Sequence, residues 1–179
     1  MEILIIFLPL IASIISGFFG KFIGDRNSEL LTSILVSISA ILSIFVLYQV
    51  IVNQYEENII IATWINSGSL DVNWSMLIDP LSAVMLVVVT LVSSLVHIYS
   101  IGYMSHDPHK PRFMAYLSLF TFAMLMLVTS DNFLQLFFGW EGVGLCSYFL
   151  IGFWFKKENA NAAAIKAFIV NRIGDFGFA

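Results

Sequence analysis

Long runs of apolar residues alternate with short polar segments along the chain. The runs cover residues 3–23, 30–52, 79–104, 113–129, 133–155 and 162–179. A helix that crosses a bilayer needs about 20 mostly apolar residues, so the first five runs predict spanning helices. The sixth run reaches Ala179 without a cap or a polar tail. We therefore expect an all-α polytopic membrane protein with about six helices in one transmembrane domain, residues 1–179, as a fragment of a longer chain.

The polar connection between the second and third runs has a pattern of its own. The segments IIIATWI (59–65) and LDVNWSMLI (70–78) flank the turn-forming residues Asn66, Ser67, Gly68 and Ser69. Apolar and polar residues alternate from residue 71 to 76, which is typical of strands. The sequence predicts a β-hairpin here. The alternative is an irregular connection with tryptophans at the membrane interface.

Two helix starts carry capping residues. Asp79 is followed by Pro80, a combination favoured at the N-cap and the first helical position. Asp131 and Asn132 offer caps for the fifth helix. A proton acceptor near the outer surface is the functional alternative for Asp79, but a cap explains both Asp79 and Pro80.

Composition supports the membrane class. Hydrophobic residues make up 59% of the 179 residues and charged residues only 11%, too few to coat a soluble domain. The net charge of −4 is small and scattered, so no nucleic-acid partner is indicated. The single cysteine, Cys146, excludes an internal disulfide and a multi-cysteine metal or iron–sulfur site.

The charged residues of the connections predict an orientation. The basic ones all fall on one side of the predicted helices: Lys21, Arg26, Lys110, Arg112, Lys156 and Lys157. The connections on the other side, residues 53–78 and 130–132, hold acidic residues and no Lys or Arg. Because basic loops stay in the cytoplasm, we expect a multi-pass protein of the cell inner (plasma) membrane with its N-terminus outside.

Glu141 is the candidate functional residue. It lies near the middle of the run 133–155, about 12 Å from the predicted outer end of the helix, and glycines stand at positions 139, 142 and 144. A carboxyl group at this depth is costly and usually marks a functional site. Burial and nearby cations act on such an acid in opposite directions, so it suits a proton relay. The alternative is a structural acid held by an interhelical hydrogen bond.

The sixth run supplies possible partners for Glu141. Arg172 and Asp175 stand three residues apart, hence on one helical face, and two antiparallel helices would place them at the depth of Glu141. We expect a coupled Glu141–Arg172–Asp175 cluster that titrates as a set. The alternative is that Arg172 and Asp175 only neutralise each other. Lys166 is a further candidate, although it lies close enough to the helix end to reach the interface.

Histidines are secondary candidates. His97, on the third predicted helix, suits proton transfer, or equally a hydrogen bond between helices. His106, Asp107 and His109 lie in a basic loop, where a metal site is conceivable but no spacing fixes its geometry.

Four segments resemble one family closely. They are DPLSAVMLVVVTLVSSLVHIYSIGYM (79–104), RFMAYLSLFTFAMLMLVTSDN (112–132), GWEGVGLCSYFLIGFW (139–154) and AAAIKAFIVNRIGDFGF (162–178). They resemble the L-subunit family of bacterial NADH:quinone oxidoreductase, respiratory complex I, whose mitochondrial counterpart is subunit five. Residues 1–78 match mainly in hydropathy and layout.

The resemblance implies an antiporter-like helix bundle that translocates protons while quinone is reduced elsewhere in the complex. It implies that Glu141 matches a glutamate that pairs with a lysine on a seventh helix. Arg172 and Asp175 match the NRxGD motif of the family, and this resemblance favours their belonging to the proton pathway. The seventh-helix lysine and the later channel residues of the family would lie beyond Ala179.

The resemblance also implies partners and cofactors. Flavin mononucleotide, iron–sulfur clusters and quinone belong to other subunits, so no cofactor or metal is expected in this chain. The expected partners are the other membrane-arm subunits, especially the neighbouring antiporter-like subunit, and the lipid bilayer. The alternative function is the large subunit of a multisubunit Na+/H+ antiporter, which shares the fold but tends to differ after the Trp-Glu of the fifth helix.

Overall fold

The computed structural model describes residues 1–68 and 70–178, which form six helices and one hairpin. The helices are α1 (Glu2–Ile23), α2 (Asp25–Asn53), α3 (Pro80–Tyr103), α4 (Lys110–Val128), α5 (Phe133–Ile151) and α6 (Glu158–Phe178). The strands β1 (Glu57–Ser67) and β2 (Leu70–Ile78) form an antiparallel pair between α2 and α3. Helices α1 to α5 are long and apolar enough to cross a membrane. The predicted helical membrane fold and hairpin are therefore confirmed, and the single-domain organisation stays a prediction.

Three helix ends differ from the sequence prediction by four residues or more. Helix α2 begins at Asp25 rather than at residue 30, and α6 begins at Glu158 rather than at residue 162. Both extra turns are polar, so hydropathy misses them, although an acidic residue in the first turn suits the helix dipole. Helix α5 ends at Ile151 rather than at residue 155, inside an apolar stretch where hydropathy marks no boundary, and Phe153 beyond its end packs edge-on against Phe113 of α4.

Capping agrees with the sequence at two helix starts. The Asp79 carboxylate accepts a hydrogen bond from the Ser82 amide at 2.7 Å, and the Asp79 amide donates to the Ser82 hydroxyl at 2.8 Å, which makes a capping box. Asn132 caps α5 by accepting from the Gln135 amide at 2.8 Å. Asp131 instead accepts from the side chains of Asn58 and Asn132.

Helix α4 lies at the centre of the bundle and packs against α1, α2, α3 and α5, while α6 packs on α5. Hydroxyl groups join several of these helices. The Ser43 and Thr90 hydroxyls lie 2.8 Å apart between α2 and α3, and Ser13 donates to the Ala115 carbonyl of α4 at 2.8 Å. Such polar contacts hold helices together in a membrane, where apolar burial gives little drive for association.

The hairpin covers the end of the bundle at which α5 begins. Met76 and Ile78 of β2 are buried in the same core cluster as Ile5, Leu86 and Met126, from three different helices. Gly68 of the turn has φ +61°, in the left-handed region that glycine adopts without strain. Ser69 of the predicted turn and Ala179 of the predicted sixth helix lie outside the described residues.

Candidate functional site

Glu141 lies at the middle of α5 and faces α6. It is eight residues from the start of the helix at Phe133, which is about 12 Å along the axis. The opposite side of α5 carries Gly139 and Gly142, which face α4. A Cβ atom on Gly139 would lie 2.7 Å from Leu127 Cα, so only glycine permits this approach of the two helices. The glycines therefore fix α5 against α4 and leave the Glu141 side free for α6.

The three predicted members of the charge cluster are brought together. Arg172 of α6 donates from Nη1 to Glu141 Oε1, and the same nitrogen lies 3.9 Å from Asp175 Oδ2. The Arg172 guanidinium also lies over the Phe168 ring, 4.9 Å from its centroid. One cation is thus shared by two carboxylates, so the fully ionised cluster carries a net negative charge.

Trp140, which the sequence analysis did not single out, forms a hydrogen bond with Asp175 of the cluster. Trp140 Nε1 donates to Asp175 Oδ1 at 2.8 Å. Asp175 is 7% exposed, whereas the side chain of Arg172 is 49% exposed. Asp175 is therefore the fixed member of the cluster and Arg172 the member with room to move.

A cavity of about 380 Å³ adjoins the cluster. Trp140, Gly144 and Ser147 of α5 line it, together with Asn171 and Asp175 of α6. Liquid water occupies about 30 Å³ per molecule, so the cavity has room for several water molecules beside Asp175.

Lys166 is not brought into the cluster. It lies on an exposed part of α6, six residues before Arg172, which turns it about a third of a circle away around the helix axis. In the part of the chain that the structure describes, Lys166 forms no ion pair. Its membership of a proton pathway stays a prediction.

His97 is fully buried in a separate network between α3 and α4. Its Nδ1 lies 2.8 Å from the Ser93 carbonyl, which can only accept, so Nδ1 carries the proton. Its Nε2 lies 3.0 Å from the Ser118 hydroxyl, and Ser93 continues the network to Thr121. These partners are on α3 and α4, so His97 does not contact the Glu141 cluster. The relay role of His97 stays a prediction.

The loop histidines do not gather metal ligands. Asp107 accepts from the His109 amide at 2.8 Å and from Trp154 Nε1 at 2.9 Å. Within residues 1–68 and 70–178, no three His, Cys, Asp or Glu side chains are placed to hold a metal ion.

Gln135 is a second residue that the sequence did not single out. Its side chain is fully buried, donates to the Ser75 carbonyl at 2.6 Å and accepts from the Ser75 amide at 3.0 Å. Leu77 also donates from its amide to the Thr129 carbonyl at 2.8 Å. The hairpin is thereby attached to the first turns of the helix that carries Glu141. No sequence pattern predicts the bonds between Gln135 and Ser75, because a glutamine beside a hydrophobic run can have many different partners.

Comparison with known proteins identifies a family with the same sequence features. Residues 64–114 match the family model described as the N-terminus of chain 5 of NADH-ubiquinone oxidoreductase (complex I), and residues 130–179 match the model for the transmembrane part of NADH:quinone oxidoreductase and Mrp antiporter proteins. All 179 residues align at 59% identity with NADH-ubiquinone oxidoreductase chain 5 of Arabidopsis thaliana. The chain belongs to the complex I chain 5 family.

Bacterial members of the chain 5 family are nearly as similar. NADH-quinone oxidoreductase subunit L of Rickettsia bellii is 52% identical over 98% of the chain. The chain spans 27% of the length of these relatives. One chain in the structure of an archaeal membrane-bound sulfane sulfur reductase shares the fold, with a TM-score of 0.79 over 97% of this chain and 34% of that one, at 20% identity. This chain 5 family member is a multi-pass membrane protein.

Proposed function

We propose that this chain is the N-terminal part of the proton-translocating membrane-arm subunit of NADH:quinone oxidoreductase. Quinone reduction elsewhere in the complex would supply the energy, and this subunit would move protons. Membership of the chain 5 family supports the assignment. The observation that carries it is the contact of Glu141, Arg172 and Asp175 between two adjacent helices, at the middle of α5.

The cluster suits proton exchange because two carboxylates share one cation. When all three groups are ionised, the site carries one net negative charge, and a single proton makes it neutral. A movement of Arg172 towards Asp175 would leave Glu141 without its partner, and an unpaired carboxylate in a medium of low dielectric constant takes up a proton. The return of Arg172 would release it. The 380 Å³ cavity beside Asp175 gives water a place from which to exchange that proton.

The same proposal fixes orientation and location. We place the protein in the cell inner (plasma) membrane, with the end that carries Lys110, Arg112, Lys156 and Lys157 in the cytoplasm. The N-terminus and the hairpin then lie outside, where Glu56, Glu57 and Asp71 are found. Neighbouring membrane-arm subunits, including an antiporter-like one, are the proposed partners.

Redox chemistry is assigned to other subunits. Flavin, iron–sulfur clusters and quinone would be held there, and this chain would contribute binding, charge and proton movement only. The role of this chain in the enzyme is therefore the conversion of a charge or conformational change in the arm into proton transfer at Glu141.

A Na+/H+ antiporter subunit is the second candidate, because the model that matches residues 130–179 describes both NADH:quinone oxidoreductase and Mrp antiporter proteins. The two functions differ in their driving force. NADH oxidation would drive proton uptake into inverted membrane vesicles in the first case. An imposed Na+ gradient would drive it, without NADH, in the second.

The test uses the full-length subunit in the assembled complex. Glu141→Gln keeps the shape of the side chain and removes its titration, and we expect NADH-driven proton uptake into inverted vesicles to fall by about tenfold or more. Glu57→Gln, which removes the same charge from the start of β1, is the matched control and should pump as the unmodified complex does. Full pumping by the Glu141→Gln complex would overturn the proposal.

A further inference from the structure

A basic and aromatic cavity lies where α4 begins and α5 ends. Its volume is about 290 Å³, and its lining includes Asp107, Arg112, Trp154, Lys156 and Lys157. Three cationic side chains thus face one carboxylate. Both lysines are exposed, and neither is held in an ion pair in the part of the chain that the structure describes.

The one carboxylate of this cavity is already engaged. Asp107 accepts from Trp154 Nε1 through Oδ2 and from the His109 amide through Oδ1. It therefore serves to hold the tryptophan in place, and the Lys157 ammonium lies over that ring, 5.2 Å from its centroid. The cationic groups keep most of their hydrogen-bonding capacity for a ligand.

Arg112 is oriented but has donors to spare. Its guanidinium lies 4.8 Å from the centroid of the Phe153 ring and 5.4 Å from that of Phe155, and Nη2 donates to the Phe153 carbonyl at 3.2 Å. A guanidinium carries five N–H groups in a planar fork that matches phosphate oxygens. The aromatic rings fix the plane of this fork at the mouth of the cavity.

A second cavity continues from Arg112 into the bundle. It measures about 360 Å³ and shares Arg112, Phe153 and Phe155 with the first. Its deeper wall is made by Tyr116, one turn along α4, and by Tyr148 of α5. Cationic and aromatic side chains thus line both cavities, at the level where the helices leave the membrane.

We propose that the two cavities bind an anionic phospholipid, with its phosphate headgroup at Arg112, Lys156 and Lys157 and its glycerol and first acyl carbons against the aromatic interior. Basic pockets between membrane helices are suited to anionic headgroups, and exposed aromatic residues such as Trp154 favour this interfacial level. A free phosphate ion would pair with the cationic groups but would leave the apolar surface of both cavities uncovered. This site is independent of the Glu141 cluster.

The experiment measures phosphatidylglycerol binding to the detergent-solubilised complex. Lys156→Gln combined with Lys157→Gln removes two cations from the mouth and leaves Arg112 and its contact with Phe153 intact. Each basic residue near an anionic lipid surface is worth about fivefold in affinity, so the pair should weaken binding by roughly 25-fold. Lys21→Gln combined with Arg26→Gln removes the same charge from another connection at this end of the bundle and should leave the affinity unchanged.

Two further measurements distinguish a phospholipid from a soluble anion as the ligand. Arg112→Lys keeps the charge and loses the planar fork, so it should also weaken phosphatidylglycerol binding. Phosphatidylcholine with the same acyl chains should bind more weakly than phosphatidylglycerol, and inorganic phosphate should not displace phosphatidylglycerol. Equal losses in both double variants would show diffuse surface charge and overturn the proposal. Displacement by inorganic phosphate would show a soluble-anion site and would overturn the lipid assignment.

Discussion

Trp140 Nε1 donates to Asp175 Oδ1 at 2.8 Å, on the side of Asp175 away from Arg172. The indole therefore anchors one carboxylate of the cluster, while Arg172 donates to the other, Glu141. In the proposed mechanism, Asp175 therefore keeps its place while Arg172 moves. A substitution of Trp140 therefore changes the position of Asp175 without changing the charge of the cluster.

The anchor can be tested by Trp140→Phe. The change removes one hydrogen bond to a charged group, which costs about 1.5 to 3 kcal/mol, and we expect a lower melting temperature and slower proton uptake. Trp154→Phe loses a comparable bond to Asp107 outside the cluster and should leave the rate of proton uptake unchanged. Identical uptake rates in the two variants would argue against a positioning role for Trp140.

Coupling within the cluster can be tested through the titration of Glu141, followed by the infrared absorption of its protonated carboxyl group. Arg172→Gln removes the shared cation, so the midpoint of that titration should move. Lys166→Gln removes a cation from the same helix but from a face away from the cluster, and the midpoint should stay in place. A shift caused by Lys166→Gln alone would restore Lys166 to the site and remove Arg172 from it.

The close approach of α5 to α4 depends on Gly139. In Gly139→Ala the new methyl group would meet the backbone of Leu127 at 2.7 Å from Cα and 2.8 Å from N. Because neither backbone yields easily, we expect destabilisation of about 1 to 3 kcal/mol, measured as a lower melting temperature of the complex. Gly102→Ala on α3, where nothing lies within 4 Å, should be neutral or slightly stabilising.

The attachment of the hairpin depends on Gln135. In Gln135→Leu the shape of the side chain is nearly kept, but both backbone groups of Ser75 lose their partner. We expect the Ser75 amide to exchange with deuterium about tenfold faster or more. Asn58→Ala, which removes an exposed bond from β1 to Asp131, should leave that amide protected. Unchanged exchange in Gln135→Leu would show that the apolar contacts of β2 suffice.

The bond between Asp107 and Trp154 should depend on pH. Burial raises the pKa of Asp107, but the hydrogen bonds from the His109 amide and the Trp154 indole outweigh it and hold that pKa below its usual range. A carboxyl of this kind stabilises the fold above its unfolded pKa of about 4, and the contribution is lost as the pH falls through the folded pKa. Trp154 fluorescence should therefore be constant through neutral pH and change only below about pH 4. Asp107→Asn should abolish that change.

The sequence was sufficient to predict the helices, the hairpin and the Glu141 cluster. Apolar runs of membrane length predict the helices, the alternation in β2 predicts the strand, and equal distances from one connection place Glu141, Arg172 and Asp175 at one depth. The helix ends were less predictable. Polar first turns such as that of α2 at Asp25 carry no hydropathy signal, and α5 ends inside an apolar stretch where hydropathy marks no boundary.

The tertiary hydrogen bonds could not be predicted from the sequence. Trp140 and Gln135 act through partners 35 and 60 residues away along the chain, and neither has a pattern that selects that partner. Lys166 illustrates the converse. Its charge and helix made it a candidate, but its angular position on α6 turns it away from the site.

Gly24 alone joins α1 to α2, with φ +88°, and its backbone groups bond to Gly20 and Ser28. Two helices linked by one residue cannot slip past each other along their axes. Ser13 of α1 donates a hydrogen bond to a backbone carbonyl of α4, whereas Ser43 of α2 forms a hydrogen bond with the Thr90 hydroxyl of α3. Hydrogen bonds therefore tie α1 to α4 and α2 to α3, and the one-residue connection at Gly24 closes the circuit, so we expect a displacement of α4 to carry the other three helices with it.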